Sequence, residues 1–311
     1  MAPYIARRLM LTLPLLVVVS FITFLLVRLS PMDPAEVVLR AQETPQITEE
    51  LLAETREKLG MNDPFLLQYA NWLMSCLRLN FGESFVSGQP VWSLIGPALV
   101  NTLVLTLISS FVIIVLSTLL GVVSAMREGR LIDKSTRGVS FFLTAIPSYG
   151  LASVLIWLVS VKLDLLPTSG MDSAASFVLP VTVIAVAYVG IYFRSVRSSV
   201  LTNKNEEYVL YARASGLSEG TITLRILRNS LQVAVSIFGM SIPIILGSTV
   251  VIENVFAWPG LGRLILKAIL GQDFPVIQAY VLIMATAFVI INMVSDIVNA
   301  AINPKLRSER T

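Results

Sequence analysis

Six stretches of this chain contain no Asp, Glu, Lys or Arg: residues 9–27, 84–126, 138–161, 173–193, 229–252 and 274–295. A helix of about 20 apolar residues crosses ~30 Å of hydrocarbon, where every backbone polar group must be paired within its own element. Buried helices of soluble enzymes carry shorter apolar runs, of about 10 to 14 residues. Six longer runs in 311 residues therefore predict an all-α, polytopic membrane protein with about six transmembrane helices. The composition agrees, since 55% hydrophobic and 14% charged residues are more apolar matter than one soluble core buries. The first run follows Arg7 and Arg8, as a secretion signal would, but it is too long for a signal core. Its exit, Leu26-Val27-Arg28-Leu29-Ser30-Pro31, also lacks small residues at cleavage spacing, so it is expected to stay as a span.

The chain has one cysteine, Cys76, and no histidine, which removes an internal disulfide and the usual ligands of zinc, nickel and haem. It has no GxxxxGK[ST] phosphate loop. No catalytic residue, metal site or bound cofactor is expected, and any ATP-driven step must sit on another polypeptide.

Basic residues set the expected orientation. Arg7 and Arg8, the group from Arg127 to Arg137, the group from Arg194 to Arg228, and Lys305, Arg307 and Arg310 fall on one side of a six-span chain and outnumber those on the other. The positive-inside rule makes that side cytoplasmic, with both termini inside the cell membrane. The expected organisation is residues 1–29 as N-terminus and first helix, 30–97 as an external insert, and 98–311 as a core of five helices with a cytoplasmic loop at 194–228. The insert is acidic and reads as folded. Thr48 precedes Glu49 and Glu50, and the segment closes on Lys58 and Gly60, the signature of a capped helix. A second helix is expected from Pro64 to Leu79, with Phe65, Tyr69 and Trp72 at helical spacing, packing at the membrane surface. Such an insert suits an external docking platform or gate lip.

The loop at 194–228 is patterned as two short helices. Residues 206–215 open with two acids and space Tyr208, Tyr211, Ala212 and Ser215 onto one face. Gly216 supplies a left-handed stop, and Ser218 caps a second helix through Leu224 and Leu227 to Arg228. A helix-Gly-helix of this kind offers a knob for a soluble partner.

The run Glu207-Tyr208-Val209-Leu210-Tyr211-Ala212-Arg213-Ala214-Ser215-Gly216-Leu217, followed by Leu227-Arg228-Asn229, resembles the EAA loop of ABC-importer permeases in their dipeptide, oligopeptide and nickel branch. The resemblance covers nearly the whole chain. It includes Pro31-Met32-Asp33-Pro34, Gly60-Met61-Asn62-Asp63-Pro64, Phe81-Gly82-Glu83-Ser84-Phe85 and Leu166-Pro167-Thr168-Ser169-Gly170. Its most specific parts are the segment from Glu253 through Trp258-Pro259-Gly260 to Arg263, and Asp273-Phe274-Pro275-Val276. The general EAA motif has Glu, Ala and Ala where this chain has Leu210, Tyr211 and Ala212, so no role of that Glu carries over. The resemblance implies a pore subunit paired with a second permease, two ATP-binding subunits and an external substrate-binding protein. It also implies that Glu207, Tyr208, Ala212, Arg213, Gly216 and Leu217 couple the pore to an ATPase.

Inside the spans, Asn292, Ser295, Asp296 and Asn299 recur at spacings of three and four, a stripe facing either the pore and partner permease or a helix-packing contact. Pro147 and Pro243 are expected to bend their helices, and Gly239, Pro243 and Gly247 to form a groove for close helix approach. A secondary transporter or channel would show internal repeats and midplane charges, and a membrane enzyme convergent titratable groups; neither pattern is present. The cargo implied by the resemblance is nickel or a metal–metallophore complex, with di- or oligopeptides as the alternative. With no imidazole and one thiol, a metal would cross still wrapped in its chelator.

Overall fold

The computed structural model describes the backbone of residues 2–302 and the side chains of residues 10, 12–232 and 234–299. Lys305, Arg307 and Arg310 lie outside the described residues, as do the side chains of Arg7 and Arg8. The helices, in chain order, are α1 (Ala2–Arg28), α2 (Pro34–Ala41), α3 (Glu49–Lys58), α4 (Phe65–Leu77), α5 (Val91–Met126), α6 (Leu131–Thr144), α7 (Ser148–Leu155), α8 (Val178–Lys204), α9 (Glu207–Ala214), α10 (Glu219–Val255), α11 (Leu261–Leu270) and α12 (Phe274–Ile302). A π-helical turn, Ile156–Lys162, extends α7, and a 3-10 turn, Ala174–Phe177, leads into α8.

Among the described residues four helical stretches are long and apolar enough to cross a membrane unbroken: α5, Ala174–Lys204, α10, and Phe274–Asn299 of α12. The expected span at 138–161 is instead two helices, α6 and the α7 stretch, meeting at 96°. Pro147 causes the break: it lacks an N–H, and it drives Ile146 away from helical geometry. It stands as the N-cap of α7 rather than inside a bent helix. Pro243, by contrast, sits within the uninterrupted α10. The backbone of α1 is helical for 27 residues, of which the apolar part Thr12–Arg28 has described side chains.

Two compact units divide the chain, residues 2–101 with 259–290, and residues 102–258 with 291–302. In the first, Thr48 caps α3 by accepting from the Leu51 N–H, and Gly60 follows with φ +66°, as the sequence predicts. Phe65, Tyr69 and Trp72 of α4 pack on Phe21 and Phe24 of α1 with ring centroids 5.3–5.8 Å apart. The Tyr69 hydroxyl lies 2.8 Å from Ser20 Oγ and 3.2 Å from the Val17 carbonyl. An additional helix, α2, is capped by Asp33, whose carboxylate also binds Arg56 of α3 through Nε at 2.7 Å.

The second unit is built on α8 and α10. Phe193, Val196 and Val200 on α8, and Ile226, Ala234 and Phe238 on α10, are all nearly or wholly buried, and the Tyr192 and Phe238 rings meet at 5.3 Å. Close approach depends on small residues. A Cβ on Gly190 would sit 2.7 Å from Ser140 Oγ of α6, and one on Gly121 of α5 would sit 2.8 Å from the Val196 Cβ. Of the expected groove on α10, a Cβ on Gly239 would sit 3.3 Å from Ser295, while one on Gly247 would meet nothing within 4 Å.

Candidate functional site

Polar loop and helix are divided differently from the sequence expectation at 194–228. Helix α8 runs on to Lys204, and α10 begins at Glu219 and continues unbroken through the expected membrane boundary. The second short helix is therefore the first turns of a 37-residue helix rather than a separate element ending at Arg228. The reason is that Arg, Lys, Leu and Glu are good helix formers and no Pro interrupts. Charge marks where a helix leaves lipid; it does not stop the helix.

What remains between the two long helices is α9 and its turns. Gly216 has φ +75°. Its N–H donates to the Arg213 carbonyl at 3.0 Å, and the Leu217 N–H donates to the Ala212 carbonyl at 3.2 Å. That pair of bonds closes the helix C-terminus in a Schellman motif, which requires a left-handed residue at this position. Ser218 then accepts from the Thr221 N–H and caps α10. An ion pair from Arg213 Nε to Glu219 Oε1, 2.9 Å long, bridges the turn and holds the guanidinium above its ordinary pKa through that hydrogen bond.

The side chains of α9 separate into an anchor and a display face. Val209 and Ala212 are buried and Tyr208 is half-buried, whereas Leu210 is 72% and Tyr211 77% exposed. The sequence placed Tyr208, Tyr211, Ala212 and Ser215 on a single face. The structure corrects this: Ala212 turns inward with Tyr208, while Tyr211 and Ser215 face out with Glu207, Arg213, Gly216 and Leu217. Leu210, singled out in the sequence only for the Glu it lacks, is the apolar half of the display face. These two large exposed side chains are flanked by the exposed charges of Glu206, Glu207 and Arg213.

On α12 the stripe of polar residues shares one side, and Val294 and Val298 are exposed on the other. Ser295 Oγ donates to the Gly239 carbonyl of α10 at 2.5 Å, so this member is a packing contact. Asn292 and Asp296 are half-buried and engaged. Asn299 is 5% exposed, and neither its Oδ1 nor its Nδ2 has a hydrogen-bond partner among the described residues. A buried amide left open costs on the order of 1–3 kcal/mol. The residues expected to couple and this stripe are two separate sets, the first in α9 and its turn, the second on α12.

The short motifs distributed along the sequence close on one another within each unit. Asp273 accepts from Ser84 Oγ and, at 3.0 Å, from the Phe85 N–H, joining two of them. The Gly170 N–H donates to the Phe256 carbonyl at 2.9 Å, and the Phe177 and Trp258 rings meet edge-on at 4.6 Å. Glu253, wholly buried, accepts from Thr102 Oγ1 at 2.6 Å. In the first unit a cavity of about 1130 Å³ opens between α1 and the insert, lined among others by Arg28, Asp33, Arg56, Trp72 and Glu83. No group of three or more His, Cys, Asp or Glu among the described residues could hold a metal ion. Asp133, also wholly buried, gave no signal in the sequence because it stands among the basic residues between two charge-free runs, where charges are ordinarily solvated.

Comparison with known proteins gives a consistent outcome. A family model described as the binding-protein-dependent transport system inner membrane component matches residues 117–308, and a model for the N-terminal part of such components matches residues 1–106. The metal-staphylopine import system permease protein CntB of Staphylococcus aureus is 57% identical over 307 residues, covering 99% of both chains. The oligopeptide transport system permease protein AppB of Bacillus subtilis is 35% identical, covering 98% of this chain and 99% of its own. The glutathione transport system permease protein GsiC of Salmonella typhimurium is also 35% identical, covering 99% of each. Among solved structures, the inward-facing MetNI methionine ABC transporter aligns with a TM-score of 0.55 at 19% identity, covering 68% of this chain and 96% of that one, a likeness of fold alone.

Proposed function

This chain belongs to the binding-protein-dependent transport system inner membrane components, and from that premise we propose that it forms half of an importer's pore for metal ions still held in a small chelator. It is a multi-pass membrane protein and a transport component, not an enzyme. Family membership implies ATPase subunits, a substrate-binding protein and a second permease in general terms. In the reading proposed here, one homologous permease completes the pore, two ATP-binding subunits carry all the ATP, and an external binding protein delivers the cargo. Both termini lie in the cytoplasm.

The observation that carries the reading is the display face of α9. Leu210 and Tyr211 project from a short helix whose other side is anchored by Val209 and Ala212, and whose end is fixed by the Gly216 turn. An ATPase groove gripping this face would move α8 and α10 together, because α9 is tied to α8 by Asn205 and Glu206 and to α10 by the four residues 215–218. Alternating access then follows from reorientation of those two helices. Asn299, whose amide atoms have no partner among the described residues, fits a position completed by pore water or by the second permease.

Identity of 57% over nearly the full length to a metal-staphylopine permease supports a metallophore cargo over the peptide alternative. The residue chemistry agrees: a chain with no His and one Cys offers no relay of soft ligands for a bare transition metal. The test is uptake of radiolabelled nickel or cobalt, with and without metallophore, beside a labelled dipeptide, in cells carrying or lacking the gene. Gene-dependent uptake only with the chelator is expected. Gene-dependent uptake of the dipeptide alone overturns the proposal.

A further inference from the structure

We propose that Asp133 is a positioning residue that makes the cytoplasmic ends of α5, α6 and α8 one rigid strut, through which movement of α9 reaches the pore. The proposal rests on the coupling role of α9. Asp133 is 0% exposed, in the first turn of α6. Its Oδ1 accepts from Ser124 Oγ of α5 at 2.6 Å and from Arg197 Nε of α8 at 2.7 Å. Its Oδ2 accepts from the Gly129 N–H in the turn after α5 at 3.0 Å and from Arg197 Nη2 at 2.9 Å. Arg137, one turn along α6, stands 3.5 Å from Oδ1. One carboxylate thus joins three helices and a turn, with Arg197 bound in the two-pronged geometry that fixes orientation as well as distance.

Position along the chain gives this cluster its consequence. Arg197 lies two turns before Lys204, where α8 ends, and α9 starts three residues later. Those two turns are tied again on both sides: Lys204 Nζ lies 3.4 Å from Glu128 Oε2, and Ser199 Oγ donates to the Ser230 carbonyl of α10 at 3.2 Å. A helix held only by apolar contacts slides with little directional resistance, whereas a buried bidentate ion pair has one geometry and is lost if its partners shift. Any displacement of α9 is therefore delivered to α5 and α6 without slack. Without the Asp133 charge, Arg197, whose side chain is only partly buried, loses the carboxylate that fixes its orientation, and the lower end of α8 is released.

The experiment uses the reconstituted importer, with both permeases, both ATPases and the binding protein, and follows uptake of nickel–staphylopine per ATP hydrolysed. Asp133→Asn keeps the size of the side chain and removes its charge. The variant complex is expected to hydrolyse ATP while uptake per ATP falls on the order of tenfold, since one member of a buried pair is gone. A Glu128→Cys/Lys204→Cys pair, in a Cys76→Ala background, allows a short bifunctional thiol reagent to join the turn after α5 to the end of α8 from the surface. Linking should leave uptake intact with Asp133 present and restore the ratio in Asp133→Asn. Wild-type uptake per ATP in Asp133→Asn, loss of uptake on linking the parent, failure of the pair to link, or failure of the link to restore Asp133→Asn each overturns the strut. Should Asp133→Asn not assemble, the linked parent decides alone, retained uptake upholding the strut and lost uptake refuting it. Normal uptake in a Gly216→Val complex refutes the α9 reading separately, without touching the linkage result.

Discussion

Replacing Gly216 by Val isolates the α9 turn from everything around it. Gly216 has φ +75° and a Cβ built there meets nothing within 4 Å, so the substitution adds no clash and acts only through the backbone. Holding a non-glycine residue in the left-handed region costs about 1–2 kcal/mol, with a β-branched residue at the upper end. The alternative is to abandon the turn, which gives up the bonds from Gly216 to Arg213 and from Leu217 to Ala212 at about 0.5–1.5 kcal/mol each. Both routes cost about the same, so the cap is populated roughly 5- to 30-fold less. Uptake should fall on that scale while membrane insertion persists, because the buried cores of both units are untouched. Gly216→Asn should lose least, since Asn tolerates this conformation. Gly220, helical with no positive φ and open space around it, is the internal control: Gly220→Ala should be neutral or stabilising. The assay is metallophore-dependent nickel uptake normalised to the amount of protein in the membrane. A Val variant inserted at the normal level and transporting at the wild-type rate refutes both the turn's importance and the coupling role.

Leu210→Asp, at a position 72% exposed, should leave thermal stability within about 0.5 kcal/mol of the parent and yet abolish co-purification of the ATPase subunits; retained co-purification places the docking face elsewhere. Asn299→Leu should stabilise this chain alone by removing an open buried amide, by about 1–3 kcal/mol, while impairing uptake by the whole complex. Unchanged uptake with raised stability would assign that residue to packing. Burial pushes the Cys76 thiol up to about 12, so the folded protein holds it protonated, and maleimide labelling near neutral pH should appear only on unfolding. Fast labelling of the native protein contradicts the packing of α4.

How much of this protein could be read in advance depends on whether the determining interaction is local. The charge-free runs determine that the chain enters a membrane, because the length and polarity of each segment decide that independently of its neighbours. Local chemistry likewise predicts the Thr48 cap, the stop at Gly60 and the left-handed Gly216 turn, since each depends on a few adjacent residues. The aromatic spacing on α4 was legible for the same reason, though its partners Phe21 and Phe24 were not.

Sequence alone does not set where helices end or which faces they bury. Charged residues that mark the limits of the spans are good helix formers, so α8 and α10 continue past them, and only packing shows that the cytoplasmic loop is reduced to α9 and its turns. Pro147 announces a disturbance, but the 96° turn is decided by the helices against which α6 and α7 pack. Periodicity placed Tyr211 beside Ala212, and the tertiary structure turned one out and the other in. Asp133 and Arg197 are 64 residues apart, and nothing near either of them in the chain distinguishes a buried ion pair from two solvated charges. Their meeting exists only once α6 lies against α8, where Gly190 allows Ser140 to approach. The sequence by itself therefore determines the solvent, the helical segments and the turns, because those are properties of short stretches of chain. The tertiary structure decides which charges meet, since a long-range pair acquires its attraction only when folding brings the two partners within a few ångströms of each other.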